Sequence, residues 1–163
     1  MHRFTAPTIR NKGELVLTRI LIIDPVEGRA KRQMRVLRSA GYRITTKHPT
    51  QPYQAAIRIE QPAVIVIGSA VGFPTNADLI LSIRSMPAGM NAAILALQQS
   101  ENAPANASLL RLGADKVLGR QTTDGAIVSA AHALLQRKSM LLNDNAELPW
   151  ALAEDNAPFV PKP

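Results

Sequence analysis

Apolar residues along this chain fall into two alternating arrangements: short unbroken runs, and longer stretches in which they recur every three or four positions. The clearest run is Ala63-Val64-Ile65-Val66-Ile67, bounded by Pro62 and Gly68. β-Branched residues without polar interruption mark a strand buried on both faces, as in helix-covered parallel sheets. Arg19-Ile20-Leu21-Ile22-Ile23-Asp24 repeats the pattern and ends on a carboxylate. Shorter strands are predicted over 42–46, 92–97 and 115–118. Helical spacing fills the intervals. Ala30, Met34 and Leu37 form one stripe, Ala55, Ala56 and Ile59 a second, and Leu79, Ile80 and Ile83 a third. A small helix is expected from Pro104 to Leu112. A last helix carries Ile127, Ala131, Leu134 and Leu135 inward and ends near Lys138. Pro25 suits a helix start, Gly41 and Gly113 suit helix stops, and Thr75 or Asn76 and Thr122 or Thr123 suit N-caps.

Five strand–helix alternations with short connections predict an α/β fold, a doubly wound five-stranded parallel sheet with helices on both faces. Residues 1–18 read as an N-terminal extension with at most one strand around Leu15–Leu17. Residues 19–138 form the domain, and 139–163 read as a flexible, acidic, proline-containing tail. Open α/β sheets carry their sites at the carboxyl ends of their strands. Asp24, Gly68 and Gln98 therefore mark the edge where chemistry is expected, and Gly68 brings no side chain to it.

Composition narrows the function classes. The 163 residues include no cysteine, which removes thiolate metal sites and cysteine catalysis. Aromatic content of 4% leaves little for base stacking. No run approaches the apolar length of a membrane span, so a cytoplasmic protein with no membrane partner is expected. Charge is uneven. Residues 1–58 hold twelve Lys and Arg against three acids (Glu14, Asp24, Glu27), a balance of +9, while the remainder carries −2. A basic half favours acidic partners, protein or nucleic acid. Gly68-Ser69-Ala70-Val71-Gly72 lacks the lysine and spacing of a phosphate loop, and no nucleophile-elbow motif appears. Neither an enzyme nor a resident metal or cofactor is expected. His2, His48 and His132 lie far apart; His132, on the last helix, is the one histidine placed to act as a phosphodonor, with a structural role the simpler reading.

Four stretches together resemble a two-component response-regulator receiver domain. They are Ile20-Leu21-Ile22-Ile23-Asp24, the Gly41-Tyr42 turn, Pro62 to Gly68, and Leu112-Gly113-Ala114-Asp115-Lys116-Val117-Leu118. The resemblance spans roughly residues 19–138 and implies a flavodoxin-like strand order, 2-1-3-4-5. Active receivers carry an acidic pair after the first strand, an aspartate ending the third, a Thr or Ser ending the fourth and a Lys after the fifth. The carboxylates hold Mg²⁺, the aspartate attacks a phosphohistidine, and hydroxyl and ammonium bind the acyl phosphate. By that resemblance Asp24 keeps one acid of the pair and Pro25 replaces the other. Gly68 takes the phosphoacceptor position, Gln98 the Thr/Ser position and Arg120 the Lys position. Val117 stands where a switching aromatic is common. A glycine forms no acyl phosphate, one carboxylate rarely recruits Mg²⁺, and Arg120 has Asp24 as its nearest expected counter-ion. No acid lies between Glu60 and Asp78, so no shift of register restores an aspartate.

The pattern is that of a degenerate, non-phosphorylatable receiver acting through protein contacts. The family's usual partner face implies Ala107, Arg111, Lys116, Ala126 and Ala130. The basic first helix, with Arg29, Arg32 and Arg35, offers a second face. The resemblance implies a histidine kinase, a phosphotransfer protein or another regulator as partner, with a homodimer open. Two alternatives stand beside it: a basic nucleic-acid-binding module on the same scaffold, and a small-ligand sensor using the altered pocket among Asp24, Gly68, Gln98 and Arg120.

Overall fold

The computed structural model describes residues 9–11, 14–16, 18–99, 102–119 and 122–155. Two short strands, β1 (Ile9–Asn11) and β2 (Glu14–Val16), pair antiparallel as a separate ribbon. The extension thus contains two strands where the sequence suggested one. The main sheet follows: β3 (Arg19–Ile23), β4 (Arg43–Lys47), β5 (Val64–Gly68), β6 (Ala93–Leu97) and β7 (Lys116–Leu118), all parallel. Their order across the sheet is β4-β3-β5-β6-β7. Numbered among themselves, the five parallel strands run 2-1-3-4-5, the flavodoxin-like order expected.

Alternation along the three central strands sends successive side chains to opposite faces, and each face has its own core. On one, Ile20, Ile22, Val64, Val66 and Leu95 pack with Leu37 of α1 (Glu27–Ser39) and with Ile127, Ala131 and Leu134 of α6 (Asp124–Asp155). On the other, Leu21, Ile23, Ile65, Ile67 and Ile94 meet Ile57 of α2 (Tyr53–Glu60) and Leu79, Ile80 and Ile83 of α3 (Asn76–Arg84). Leu109 of α5 (Ala103–Leu112) completes this second layer. The unbroken apolar runs exist because both sides of these strands are covered.

Local chemistry sets the helix ends. Thr75 and Asp78 form a capping box at α3, Asn102 accepts from Ala105 N at α5, and Thr123 Oγ1 accepts from Ala126 N at α6. The break expected at Pro87-Ala88-Gly89 is itself one helical turn, α4 (Pro87–Met90). Three expectations need correction. In α2 the inward residue is Ile57, and Ile59, expected in the stripe, is 80% exposed. The last helix does not close near Lys138; its backbone continues to Asp155. Ala146, Glu147, Leu148, Ala151, Leu152 and Ala153 are strong helix formers, while Pro149 among them donates no backbone N–H and opposes the helix. In α1, Gln33 is buried beside Ala30 and Leu37, while Met34 is only partly covered. Among the described residues no helix is long and apolar enough to cross a membrane.

Candidate functional site: the carboxyl edge of the sheet

Strand register brings the expected positions together. Ile23 pairs with Ile67, Gly68 with Leu97, and Leu97 with Leu118. Asp24, Gly68, Gln98 and Gly119 therefore stand side by side where the four strands end. Asp24 is 3% exposed, and its backbone N–H donates to Lys47 O on the neighbouring strand. Pro25 follows it, half-buried, at the start of the turn into α1.

The carboxylate of Asp24 is already fully engaged. Its Oδ1 accepts from Val26 N at 2.8 Å and from Arg29 Nη2 at 2.8 Å, while Oδ2 accepts from Arg29 Nε at 2.6 Å. This is the two-pronged geometry in which guanidinium binds carboxylate best. Arg29 Nη2 also donates to Ser69 O at 2.9 Å, so the side chain reaches from the first turn of α1 across to the chain leaving β5. The Asp24 side chain is entirely buried and that of Arg29 only 24% exposed. A Cβ placed on Gly68 would lie 2.6 Å from Asp24 Oδ2 and 2.9 Å from Arg29 Nη2. The room that a side chain at position 68 would need is filled by this ion pair.

A divalent cation does not fit these residues. Mg²⁺ asks for several anionic oxygens in near-octahedral array, whereas here one carboxylate faces a fixed guanidinium, Pro25 supplies no oxygen from its side chain, and Gly68 has none. Among the described residues no group of three or more acidic or histidine side chains gathers that suits a metal.

Gln98 closes the other side. Its N–H donates to Leu118 O, and its Oε1 accepts from Asn76 Nδ2 at 3.1 Å. Asn76, 2% exposed at the start of α3, also donates to Leu97 O at 2.9 Å. The amide at position 98 thus ties the end of β6 to α3. Val117, half-buried on β7, packs against the second core layer. Arg120 lies outside the described residues, and the counter-ion that the structure gives Asp24 is Arg29. His132 faces the ring hydroxyl of Tyr42, with Nδ1 at 3.4 Å from the phenol oxygen.

The other singled-out cations spread over separate surfaces. Arg32 pairs with Asp124 at 3.0 Å across the mouth between α1 and α6, and Arg35 is exposed on α1. Arg111 on α5 and Lys116 on β7 are exposed on another face. Arg29 is not on the outer face of α1, where the helical stripe placed it; it turns into the pocket. The apolar periodicity shows only which side of a helix is greasy. A long side chain beside the stripe reaches a buried acid five residues back, and that pairing has no sequence signature of its own.

No protein-family model matches this chain, and no curated protein matches it by sequence. Solved structures do. The chemotaxis response regulator CheY4 of Vibrio cholerae superposes with a TM-score of 0.67 at 16% identity, covering 74% of this chain and 100% of that one. A two-component response regulator from Clostridium difficile gives 0.66 at 18% identity, covering 74% and 97%. NtrX from Brucella abortus gives 0.72 at 15% identity, covering 80% of this chain but 30% of its own. With the strand order 2-1-3-4-5, the chain has the fold of a response-regulator receiver domain.

Proposed function

We propose that this chain is a pseudo-receiver: a signalling protein that takes no phosphoryl group at the usual position and works through protein contacts. The observation that carries the reading is the ion pair beneath Gly68. A receiver needs a carboxylate nucleophile and a metal at this spot; here the nucleophile is absent and a guanidinium fills the space. Arg29 acts as a built-in counter-ion for Asp24, so the edge is electrostatically satisfied without metal or phosphate. Incubation with acetyl phosphate and Mg²⁺ is expected to leave the intact mass unchanged. Stoichiometric, base-labile phosphorylation would overturn the reading.

The contact surface is proposed on the face formed by α5, β7 and α6. Between β7 and α6 on that face, Lys116, Leu118, Ala126, Ala130, Ala133 and Arg137 line a shallow groove of about 520 Å³, with a largely apolar floor and two cations and one acid, Asp115, on its rim. Small residues on α6 let a partner helix approach closely, and the rims favour an acidic one. Substituting Ala133→Arg, at an exposed position of α6, should abolish capture of that partner, or self-association, while leaving the fold intact. Nucleic-acid binding has the exposed Lys31, Arg32, Arg35 and Arg38 of α1 in its favour. Lys31 is paired with Glu27 and Arg32 with Asp124, however, which lowers the surplus charge such binding needs.

A further inference from the structure

At the amino edge of the sheet, opposite the pocket under Gly68, Lys138 of α6 stands half-buried between two cavities. Arg84, Asn91, Asp115 and Arg137 border the smaller, of about 170 Å³. The larger, of about 410 Å³, opens between Gln61 and α4. Lys138 and Asn91 belong to both walls. Among the described residues the Lys138 ammonium has no hydrogen bond and no ion pair. The acid of this cluster is already engaged: Asp115 Oδ2 accepts from Arg84 Nη2 at 2.9 Å and from Ile94 N at 2.8 Å. A half-buried cation without a counter-ion is the costly form of a lysine. Burial pushes this ammonium below its usual value, nearby Arg84 adds to the shift and Asp115 opposes it. The neutral amine, a nucleophile, is therefore populated at lower pH here than on a solvated lysine.

We propose that Lys138 takes up carbon dioxide as a lysine carbamate. The Nζ lone pair attacks the carbon of CO₂, one C–O π pair moves onto oxygen, and an N–H proton leaves to water. One amine and one CO₂ thus give one carbamate anion and one proton. Three features select this electrophile. CO₂ is small and uncharged, so it enters either cavity without parting an ion pair. Its product reverses the charge: a guanidinium that disfavours an ammonium at this place favours an anion. The carboxamide of Asn91, exposed at the end of α4 and on both walls, brings N–H donors to the same space.

The site also has a route to the rest of the fold. A carbamate on Lys138 competes with Asp115 for Arg84, whose donors also reach Gly89 O, Ala92 O and Gly113 O. Carbon dioxide is thereby coupled to the contact that joins α3, α4 and the starts of β6 and β7. Arg137 borders both this cavity and the groove between β7 and α6, so the change of charge is felt on that face. The site lies at the opposite edge from Gly68, and its chemistry is independent of whether the chain can be phosphorylated.

The test is ¹³C NMR of the full chain, carrying ¹⁵N in its lysine side chains, in ¹³C-bicarbonate at slightly alkaline pH. A carbamate carbonyl resonance coupled to a lysine ¹⁵N should appear, and the label sets it apart from any carbamate on the amino terminus. Lys138→Met removes the penalised charge, so it should fold at least as well as the parent and lose this resonance completely. Lys138→Arg keeps the charge without the nucleophile and should lose it as well. Loading should shift the backbone amides of Ala92, Gly113 and Asp115 in the parent and in neither variant. Absence of a lysine-coupled carbonyl at saturating bicarbonate, its persistence in Lys138→Met, or shifts at these amides that inorganic phosphate reproduces without any carbamate would each overturn the proposal.

Discussion

Two arginine–aspartate pairs sit at opposite ends of the same sheet, and they do different things. At the amino edge Arg84 donates to the carbonyl oxygens of Gly89, Met90, Ala92 and Gly113 and to Asp115 Oδ2 at 2.9 Å. Asp115 in turn accepts from Ile94 N. That cluster is a staple: it ties α3, the turn at α4, β6 and the start of β7 together. At the carboxyl edge Arg29 makes two bonds to Asp24 and one to Ser69 O. It joins fewer elements but fills the space beside Gly68 at the carboxyl edge of the sheet. Asp24 is entirely buried, whereas the Asp115 side chain is 37% exposed. The same kind of ion pair ties elements together in one place and fills the space beside a glycine in the other, and burial decides how much each is worth.

The largest expected effect follows from that difference. Arg29→Met leaves a carboxylate buried without its counter-ion, and the loss should be about 3 kcal/mol in urea unfolding. Restoring most of that stability with Asp24→Asn in the same chain would show that the cost lies in the stranded charge. A loss under about 0.5 kcal/mol would mean that the pair is not formed in solution.

Tight glycines separate the two ends further. A Cβ on Gly89 would meet Ile83 O at 2.1 Å, and a backbone oxygen cannot step aside. Gly89→Ala should therefore cost about 2 kcal/mol. At Gly68 the close atoms belong to two side chains. Gly68→Ala should cost about 1 kcal/mol and become nearly neutral when Arg29 is also truncated. Equal costs in both backgrounds would show that Arg29 does not occupy that space. Arg84→Met should fall between the two glycine changes, at about 1.5 kcal/mol, because most of the carbonyl bonds it strands are part-buried rather than fully enclosed.

The smallest effect is a pH dependence at the amino edge. Burial pushes the Lys138 ammonium below its usual value, nearby Arg84 adds to the shift, and Asp115 opposes it. A lowered lysine means the folded state resists the charged form. The penalty is present at neutral pH and fades as pH rises through the lowered value towards the ordinary one. Lys138→Met should therefore gain on the parent most at neutral pH, with the difference closing in alkali. A constant difference would remove the assignment.

The sheet was legible because its signals are local. Ile20–Ile23 and Val64–Ile67 could only be strands covered on both faces, and Asp24 and Gly68 ended them where the register now places both. The site was half legible. The absence at Gly68 is visible in one letter, but what fills it is not. Arg29 lies off the apolar stripe of α1, and nothing in the spacing tells a solvated arginine from one that folds back onto a buried acid. Gln33 was hidden for the opposite reason: a polar residue at an inward position reads as surface. The continuation of α6 past Lys138 was not legible, because residues 143–155 lack the apolar periodicity that marks the earlier helices and include Pro149, which reads as a helix stop.

The central claim is that a guanidinium stands where a receiver would hold metal and phosphoryl group. Backbone-amide NMR during titration with Mg²⁺ and beryllium fluoride, a mimic of the bound phosphoryl group, tests it most directly. The account predicts no saturable shifts at Asp24, Gly68, Ser69 or Gln98. Saturable, stoichiometric shifts at those amides, with Arg29 released from Asp24, would contradict it.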